Sequence, residues 1–481
     1  MIQFRLILNI ISALLLFLAL ALLLPAVIAF FYDEGDFYSL VFTLVLSFLL
    51  GLTGYFSTRS KNELKIKDGF LIVTLSWILF ALIGALPFYI SDCIPSYTDA
   101  FFETMSGFTT TGASILTDIE KLPHGLLFWR SFTHWLGGMG IILLSLAILP
   151  LLGVGGMQLF KAEVPGPVPD RLTPRIRHTA ELLWGVYVII SIVEMILLKT
   201  AGMNWFDAAC HTFGTMATGG FSTKNLSIAH YQNPWIDWII IIFMIIAGTN
   251  FALHYRALKG KPIFYWRDSE ARFFITIILI ASLIIGFDVW KNSGNNMFKS
   301  LTDTIFQVVS ILTTTGYGTS DYEAWAYSSR LILFILMFIG GCAGSTAGGM
   351  KIVRSMVLFQ FSRQEMKKLI HPQAVFTIRI GGTIVPDEIQ RHISGFFLLY
   401  ISVFVISIIV MSILGLDFES SFGSVAATLN NIGPGLGSVG PTENYAHIPL
   451  LGKWFLSALM LIGRLELYTV LVLFSFTFWK K

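Results

Sequence analysis

Long apolar runs constrain the fold of this chain more than any other feature. They lie near 6–31, 37–57, 68–91, 125–152, 179–200, 234–257, 272–290, 329–350, 393–416 and 450–478, most of them close to the roughly 20 residues that a helix needs to cross a bilayer. Backbone inside lipid must satisfy its own polar groups, which helices do. The expected fold class is therefore an all-α polytopic membrane protein. Composition excludes a soluble one, because 55% of the 481 residues are hydrophobic and only 13% charged, against about 25% charged in ordinary soluble chains. The first run follows Arg5 and reads as a retained span, being long for a signal core and lacking an A-x-A site. A net charge of +3 points to no nucleic acid. Cys93, Cys210 and Cys342 lie too far apart for metal-ligand spacing and are assigned neither a disulfide nor a metal.

The connections between runs are of two kinds. One is basic, carrying Arg59, Lys61, Lys65 and Lys67, then Lys161, Arg171, Arg175 and Arg177, then Arg256, Lys259, Lys261, Arg267 and Arg272, then the long stretch 351–391. With Arg5, Lys480 and Lys481 these segments hold 23 of the 32 Lys and Arg, which places them and both termini in the cytoplasm. The other kind is poor in cations and carries Asp33, Glu34, Asp36, Asp92, Asp99, Asp321, Glu323, Asp417 and Glu419, so it faces outward.

Four outward connections contain one repeated segment: 97–114, 205–222, 301–318 and 418–435. Each has an acid near its start (Asp99, Asp207, Asp303, Glu419) and a glycine 12 to 14 residues later (Gly112, Gly219, Gly316, Gly433). About a dozen semi-apolar residues are too few to span, so each reads as a re-entrant helix with its acid at the positive end of the helix dipole. The architecture that follows is four pseudo-symmetric repeats of helix, pore helix, filter loop and helix around one pore. The expected boundaries are 1–60 for an N-terminal helix pair, then 61–160, 161–262, 263–365 and 366–481 for the repeats.

TTTGYG at 313–318 would, by itself, be a threonine-rich turn. Four such loops at membrane depth need another account, because irregular backbone there must be buried in protein or line a watery path. Consecutive carbonyl oxygens can replace the hydration shell of a cation, as in the TVGYG loops of potassium channels. Thr314-Thr315-Gly316-Tyr317-Gly318 differs from that sequence at one position. The candidate potassium-filter residues are Thr110, Thr111 and Gly112; Thr218 and Gly219; Thr314, Thr315, Gly316 and Tyr317; and Asn431, Ile432 and Gly433.

The four hairpins, these loops and GRLE at 463–466 resemble the Trk/Ktr/HKT superfamily of potassium transporters over nearly the whole chain. The extra N-terminal pair makes the chain most similar to the bacterial TrkH/TrkG branch rather than the shorter KtrB branch. The resemblance implies potassium uptake across the inner membrane, a homodimer and a cytoplasmic ring of TrkA-type nucleotide-binding subunits. It implies no cofactor in this chain beyond K+ as the transported ion. A serine at the first-loop glycine goes with sodium preference in some plant members, so Gly112 favours potassium.

The run GGCAGSTAGGMK at 340–351 fails the phosphate-loop pattern, because Met350 intervenes before Lys351 and Ile352 follows it. It reads either as small-residue helix packing or as an unwound gate below the filter. The gate candidates are Gly344, Ser345, Thr346, Gly348 and Gly349, and the resemblance favours that reading. Arg464 lies deep in the last span and needs a partner or water. It is read either as pairing with a pore-helix acid such as Glu103 or as a positive barrier beneath the filter; Glu466, two positions on, points elsewhere. Arg130, His134, Asn250 and His254 read as helix caps and interhelical hydrogen-bond groups, with proton coupling through a histidine as the alternative. Glu194 and Asp288 read as solvated span ends.

Thr377, Arg379, Gly381 and Gly382 suggest a short β-hairpin in the basic stretch 351–391, a docking surface for which the resemblance names the regulatory ring. No carboxylate pair, nucleophile set or metal cluster converges in the sequence, so an enzyme is not expected. An organic-solute carrier with inverted repeats fits poorly with four loops on one side. A symporter that couples potassium to protons or sodium through the same filter is the remaining rival.

Overall fold

The structure is a computed structural model that describes residues 2–60, 65–140, 176–293 and 296–480. The far part of the run 125–152 and the basic positions Lys61, Lys161, Arg171, Arg175 and Lys481 lie outside the described residues. Among the described residues, six helices are long and apolar enough to cross a membrane, and two bent helix pairs also qualify.

An N-terminal pair, α1 (Phe4–Tyr32) and α2 (Phe37–Ser57), precedes α3 (Ile66–Gly84). Repeat 1 continues with the re-entrant helix α4 (Tyr97–Phe108) and α5 (His124–Trp135). Repeat 2 contains α6 (Ile176–Thr200), the re-entrant α7 (Trp205–Met216), α8 (Pro234–Ala247) and α9 (Phe251–Leu258). In repeat 3 come α10 (Ser269–Ser293), the re-entrant α11 (Met297–Leu312), α12 (Tyr327–Met337) and α13 (Ile352–Ile370). Repeat 4 holds α14 (Asp387–Ile413), the re-entrant α15 (Phe418–Leu429), α16 (Leu450–Arg464) and the short α17 (Tyr468–Leu471).

The four re-entrant helices form the centre. Every residue of α4 from Ala100 to Phe108 is buried, as is every residue of α15 from Gly423 to Leu429. The long helices surround them and turn apolar side chains outward: Leu279, Leu283 and Phe287 on α10, and Leu398, Ile406 and Ile413 on α14 are exposed. An outer surface of that kind is solvated by lipid.

Local sequence explains the re-entrant helices. Ser96 and Asn204 accept hydrogen bonds from the backbone N–H of Asp99 and Asp207, and Asn296 accepts one from Phe298 N–H. Such caps satisfy donors that a helix start leaves open. Asp99, Asp207 and Glu419 occupy first turns, as expected. Asp303 does not: the Asn296 cap starts α11 at Met297, so this helix has 16 residues and its acid lies beyond the first turn.

Among the described residues, three of the ten runs are not straight spans. Helices α8 and α9 meet at 104°, and α16 meets the segment from Tyr468 at 112°. Run 329–350 contains only the 11-residue α12 before an irregular loop. The breaks have local causes. Asn250 caps a new helix inside the second-repeat run by accepting from Ala252 N–H at 2.8 Å. Glu466 and Leu467 both take left-handed φ values, 57° and 46°. In repeat 1, α5 passes into a π-helical turn, Leu136–Gly140. The expected β-hairpin is present, β1 (Arg379–Ile380) pairing antiparallel with β2 (Thr383–Ile384) across Gly381 and Gly382.

The turn between α1 and α2 is fastened to repeat 1. Glu34 accepts from His124 N–H at 2.6 Å and Asp36 from Leu126 N–H at 3.0 Å, capping α5 from another element.

Candidate functional site

Each re-entrant helix ends in the same backbone turn. The residues Thr110, Thr218, Thr314 and Asn431 take left-handed φ values of 51°, 53°, 58° and 55°, a conformation that is an outlier for β-branched threonine. The next N–H groups, of Thr111, Gly219, Thr315 and Ile432, return to the helix carbonyls of Ser106, Gly214, Ser310 and Ala427 at 2.9, 2.8, 2.8 and 2.9 Å. Then comes a left-handed glycine: Gly112, Gly220, Gly316 and Gly433, at φ 79°, 77°, 81° and 97°. In repeat 2 the glycine in this role is Gly220. The expected Gly219 sits one place earlier, equivalent to Thr111, Thr315 and Ile432; of the two adjoining glycines it is Gly220 that stands opposite Gly112, Gly316 and Gly433 when segments 97–114, 205–222, 301–318 and 418–435 are set in register.

The four loops close a ring. A Cβ added at Gly112 would strike the carbonyl oxygen of Gly219; one at Gly220 would strike that of Thr315. One at Gly316 would strike Ile432 O, and one at Gly433 would strike Thr111 O. Each repeat thus rests a glycine on the carbonyl of the next, and the fourth returns to the first. The carbonyls of Thr111, Gly219, Thr315 and Ile432 occupy one equivalent position. The re-entrant helices end directly before these loops, so four negative dipole ends converge on the ring.

Struts join neighbouring repeats behind the loops. Between repeats 1 and 2, buried Arg130 pairs with buried Glu103 at 2.7 Å, donates to Ser222 O at 2.9 Å and lies over the Phe221 ring. Between repeats 2 and 3, the Tyr317 hydroxyl donates to the carbonyls of His211 and Phe221 at 3.0 and 3.2 Å. Tyr322 donates to Gly435 O at 2.6 Å between repeats 3 and 4, and Tyr445 to Gly433 O at 2.8 Å, while Tyr445 N–H reaches Ser114 O of repeat 1. Tyr322 and Tyr445 carry no motif in the sequence and were not among the expected site residues. At the outer rim, burial raises the Glu323 carboxyl above its ordinary pKa, while the N–H of Gly437, bonded at 2.6 Å, pulls it down.

Below the ring, on the side to which the re-entrant helices point, the broken helices exchange hydrogen bonds. Gly348 N–H donates to the Thr314 hydroxyl at 2.6 Å. Thr346 donates its hydroxyl to Met216 O and Ala247 O, and Phe251 N–H donates to Gly344 O at 3.0 Å. Ser345 turns back onto Cys342 O, and Gly349 packs against Gly340. Loop 338–351 therefore sits directly under Thr314 of the third loop.

Arg464 donates to Thr346 O at 2.8 Å and to Gly137 O and Gly138 O at 2.7 Å each. The expected pairing with Glu103 is not formed, because Arg130 holds that carboxylate. Glu466 pairs instead with Arg354 of α13. Glu194 is also placed differently from expectation: it is fully buried, since its face of α6 packs against α7. Asn250 is a cap, His254 bonds Ile246 O at 2.9 Å, and His134 accepts weakly from Phe221 N–H at 3.4 Å.

A family model described as TrkH, cation transport protein, matches residues 39–480. The chain belongs to the TrkH family. It is similar to the Trk system potassium uptake protein TrkH of Salmonella typhimurium, 43% identical over all of both chains. It is also similar to the Trk system potassium uptake protein TrkG of Escherichia coli, 38% identical over 96% of each. The crystal structure of the potassium transporter TrkH from Vibrio parahaemolyticus superposes with a TM-score of 0.90 at 40% identity, covering all of both chains. A TrkH-family chain is a transporter rather than an enzyme. With its spanning helices, this one is a multi-pass membrane protein.

Proposed function

We propose that this chain conducts potassium into a bacterial cell through the ring of four loops. The observation that carries the reading is the closure of that ring, with the equivalent carbonyls of Thr111, Gly219, Thr315 and Ile432 each lying against the neighbouring repeat. Carbonyl oxygens in that arrangement can replace a cation's water shell, and the helix dipoles behind them favour positive charge. The printed names of the relatives, potassium uptake proteins, support potassium as the ion. The repeats near 61–160, 161–262, 263–365 and 366–481 would each supply one quarter of the filter.

Gating belongs to loop 338–351 with Gly344, Ser345, Thr346, Gly348, Gly349 and Arg464. The support is its position beneath Thr314 and its bond from Arg464. The chain pairs as a homodimer in the inner membrane with both termini cytoplasmic, and the hairpin 379–384 docks a TrkA-type nucleotide-binding ring. An inside-negative potential of about 150 mV supplies roughly 3.4 kcal/mol per cation, at about 2.3 kcal/mol per 100 mV. Uptake then needs no second ion.

The test is flux of potassium, rubidium and sodium into liposomes containing the purified chain at imposed voltage, with and without the nucleotide-binding partner. Potassium and rubidium entering well ahead of sodium is the expected result. Equal sodium entry overturns the filter, and uptake that follows pH or sodium at fixed voltage replaces the channel with a symporter.

A further inference from the structure

Loop 338–351 is a lasso with a closed neck. Its two ends meet where Ile352 N–H donates to Gly341 O at 3.0 Å and where Gly340 and Gly349 pack backbone to backbone. Breaking a helix leaves N–H donors without partners at membrane depth. Two of these donors, one on each side of the neck, converge on a single atom from another helix. Oε1 of Glu270, in the first turn of α10, accepts from Ala343 N–H at 2.8 Å and from Val353 N–H at 3.0 Å. The contacts that hold the tip come from different residues: Thr314, Met216, Ala247 and Arg464. Neck and tip are therefore fastened independently.

We infer that Glu270 is the post on which the intramembrane loop hangs, a positioning residue that keeps the neck closed and the tip beneath the filter. One carboxyl oxygen that bridges both strands holds the neck while the tip exchanges partners. The lasso then swings as a unit about a fixed base rather than unravelling into α12 and α13. This inference rests on the gating role proposed for the loop.

Cys342 is a native reporter of the neck. It lies between Gly341 and Ala343, is 1% exposed, and its N–H is bonded to Gly248 O at 2.9 Å. The experiment labels the full chain in liposomes with a water-soluble maleimide and resolves Cys342 from Cys93 and Cys210 by peptide mass spectrometry, with rubidium flux measured on the same vesicles. In Glu270→Ala, Cys342 is expected to label about tenfold faster than in wild type, with Cys210 still protected and flux without the partner increased. Glu270→Gln retains an oxygen that can accept both N–H groups and is expected to keep Cys342 protected. Protection of Cys342 in Glu270→Ala, or equal exposure in Glu270→Gln, overturns the inference. Should Glu270→Ala expose Cys210 as well, Glu270→Asp decides: exposure of Cys342 alone supports the post, and continued protection overturns it. Labelling does not depend on which ion passes, so a failed potassium assignment would show in wild-type flux while leaving this pattern intact.

Discussion

The guanidinium of Arg464, at the end of the last-repeat helix α16, donates to the carbonyl oxygen of Thr346 in the third-repeat loop, while its other nitrogen holds Gly137 and Gly138 of the first repeat. Three repeats thus meet at one side chain. A charge at that depth is tolerated because broken helices offer it carbonyls that would otherwise lack donors. Arg464 is held by carbonyl oxygens rather than by the carboxylate of Glu103, and under the gating role proposed for loop 338–351 the same contact would make it both fastener and barrier.

Arg464→Ala should therefore raise potassium flux without the partner and lower thermal stability together. Bonds to a charged donor contribute about 1.5–3 kcal/mol. Arg464→Lys, whose single ammonium cannot reproduce the fork, should fall between. Flux measured in liposomes alongside melting of the purified protein checks both. Lower stability with unchanged flux would reduce Arg464 to a purely structural residue.

The glycines of the loops are not equivalent. Gly220→Ala places a Cβ against Thr315 O at a left-handed φ, a conformation that costs an alanine about 1–2 kcal/mol before the collision is counted, and should abolish selective flux. Gly318→Ala should be tolerated, since the nearest atom to its added Cβ is Gln307 Nε2 at 3.7 Å. Comparing rubidium and sodium uptake in the two variants tests the assignment. The reverse order of severity would refute the ring.

Tyr317 packs behind the third loop. Its ring is buried and its hydroxyl reaches back to repeat 2. Tyr317→Phe leaves two carbonyls without that donor and should cost about 1–3 kcal/mol, with sodium admitted more readily as loops 2 and 3 loosen. A permeability ratio from reversal potentials is the readout, and an unchanged ratio would count against a strut.

The Glu103–Arg130 pair should be among the most sensitive sites for folding. Removing one partner of a buried pair costs about 3–5 kcal/mol, because the other charge is left uncompensated. Glu103→Ala should therefore melt far below wild type, whereas Glu365→Ala, whose partner Lys368 is itself open to solvent, should melt close to it. Melting of the two purified variants provides the comparison.

Repetition made much of this fold legible. Four segments of matching length with acid and glycine at matching places revealed the re-entrant helices, and the glycines at 381–382 revealed the hairpin. Partnership was hidden, because it is tertiary. Nothing local tells Tyr322 or Tyr445 from other aromatics until another repeat's carbonyl is beside it. Gly219 and Gly220 adjoin, and the register of the four segments, with the left-handed φ of Gly220, separates them. Asn250 was readable as a cap, yet the bend it starts was not, because hydropathy averages across a three-residue break. Glu194 looked solvated near a span end, while its burial depends on which face α6 turns to α7. The role of Glu270 likewise emerges only where two ends of a distant loop meet it.

The closed ring of glycine against carbonyl carries one more consequence. In a pore built from four identical subunits, every substitution acts four times. Here the quarters are covalently joined and already unlike one another: tyrosine follows the ring glycine in loop 3, phenylalanine in loop 2, alanine in loop 1 and proline in loop 4. Each wall of the passage can drift or be engineered separately, provided the shared backbone turn survives. A ring braced by a different side chain behind each quarter is available to this architecture and closed to a homotetramer.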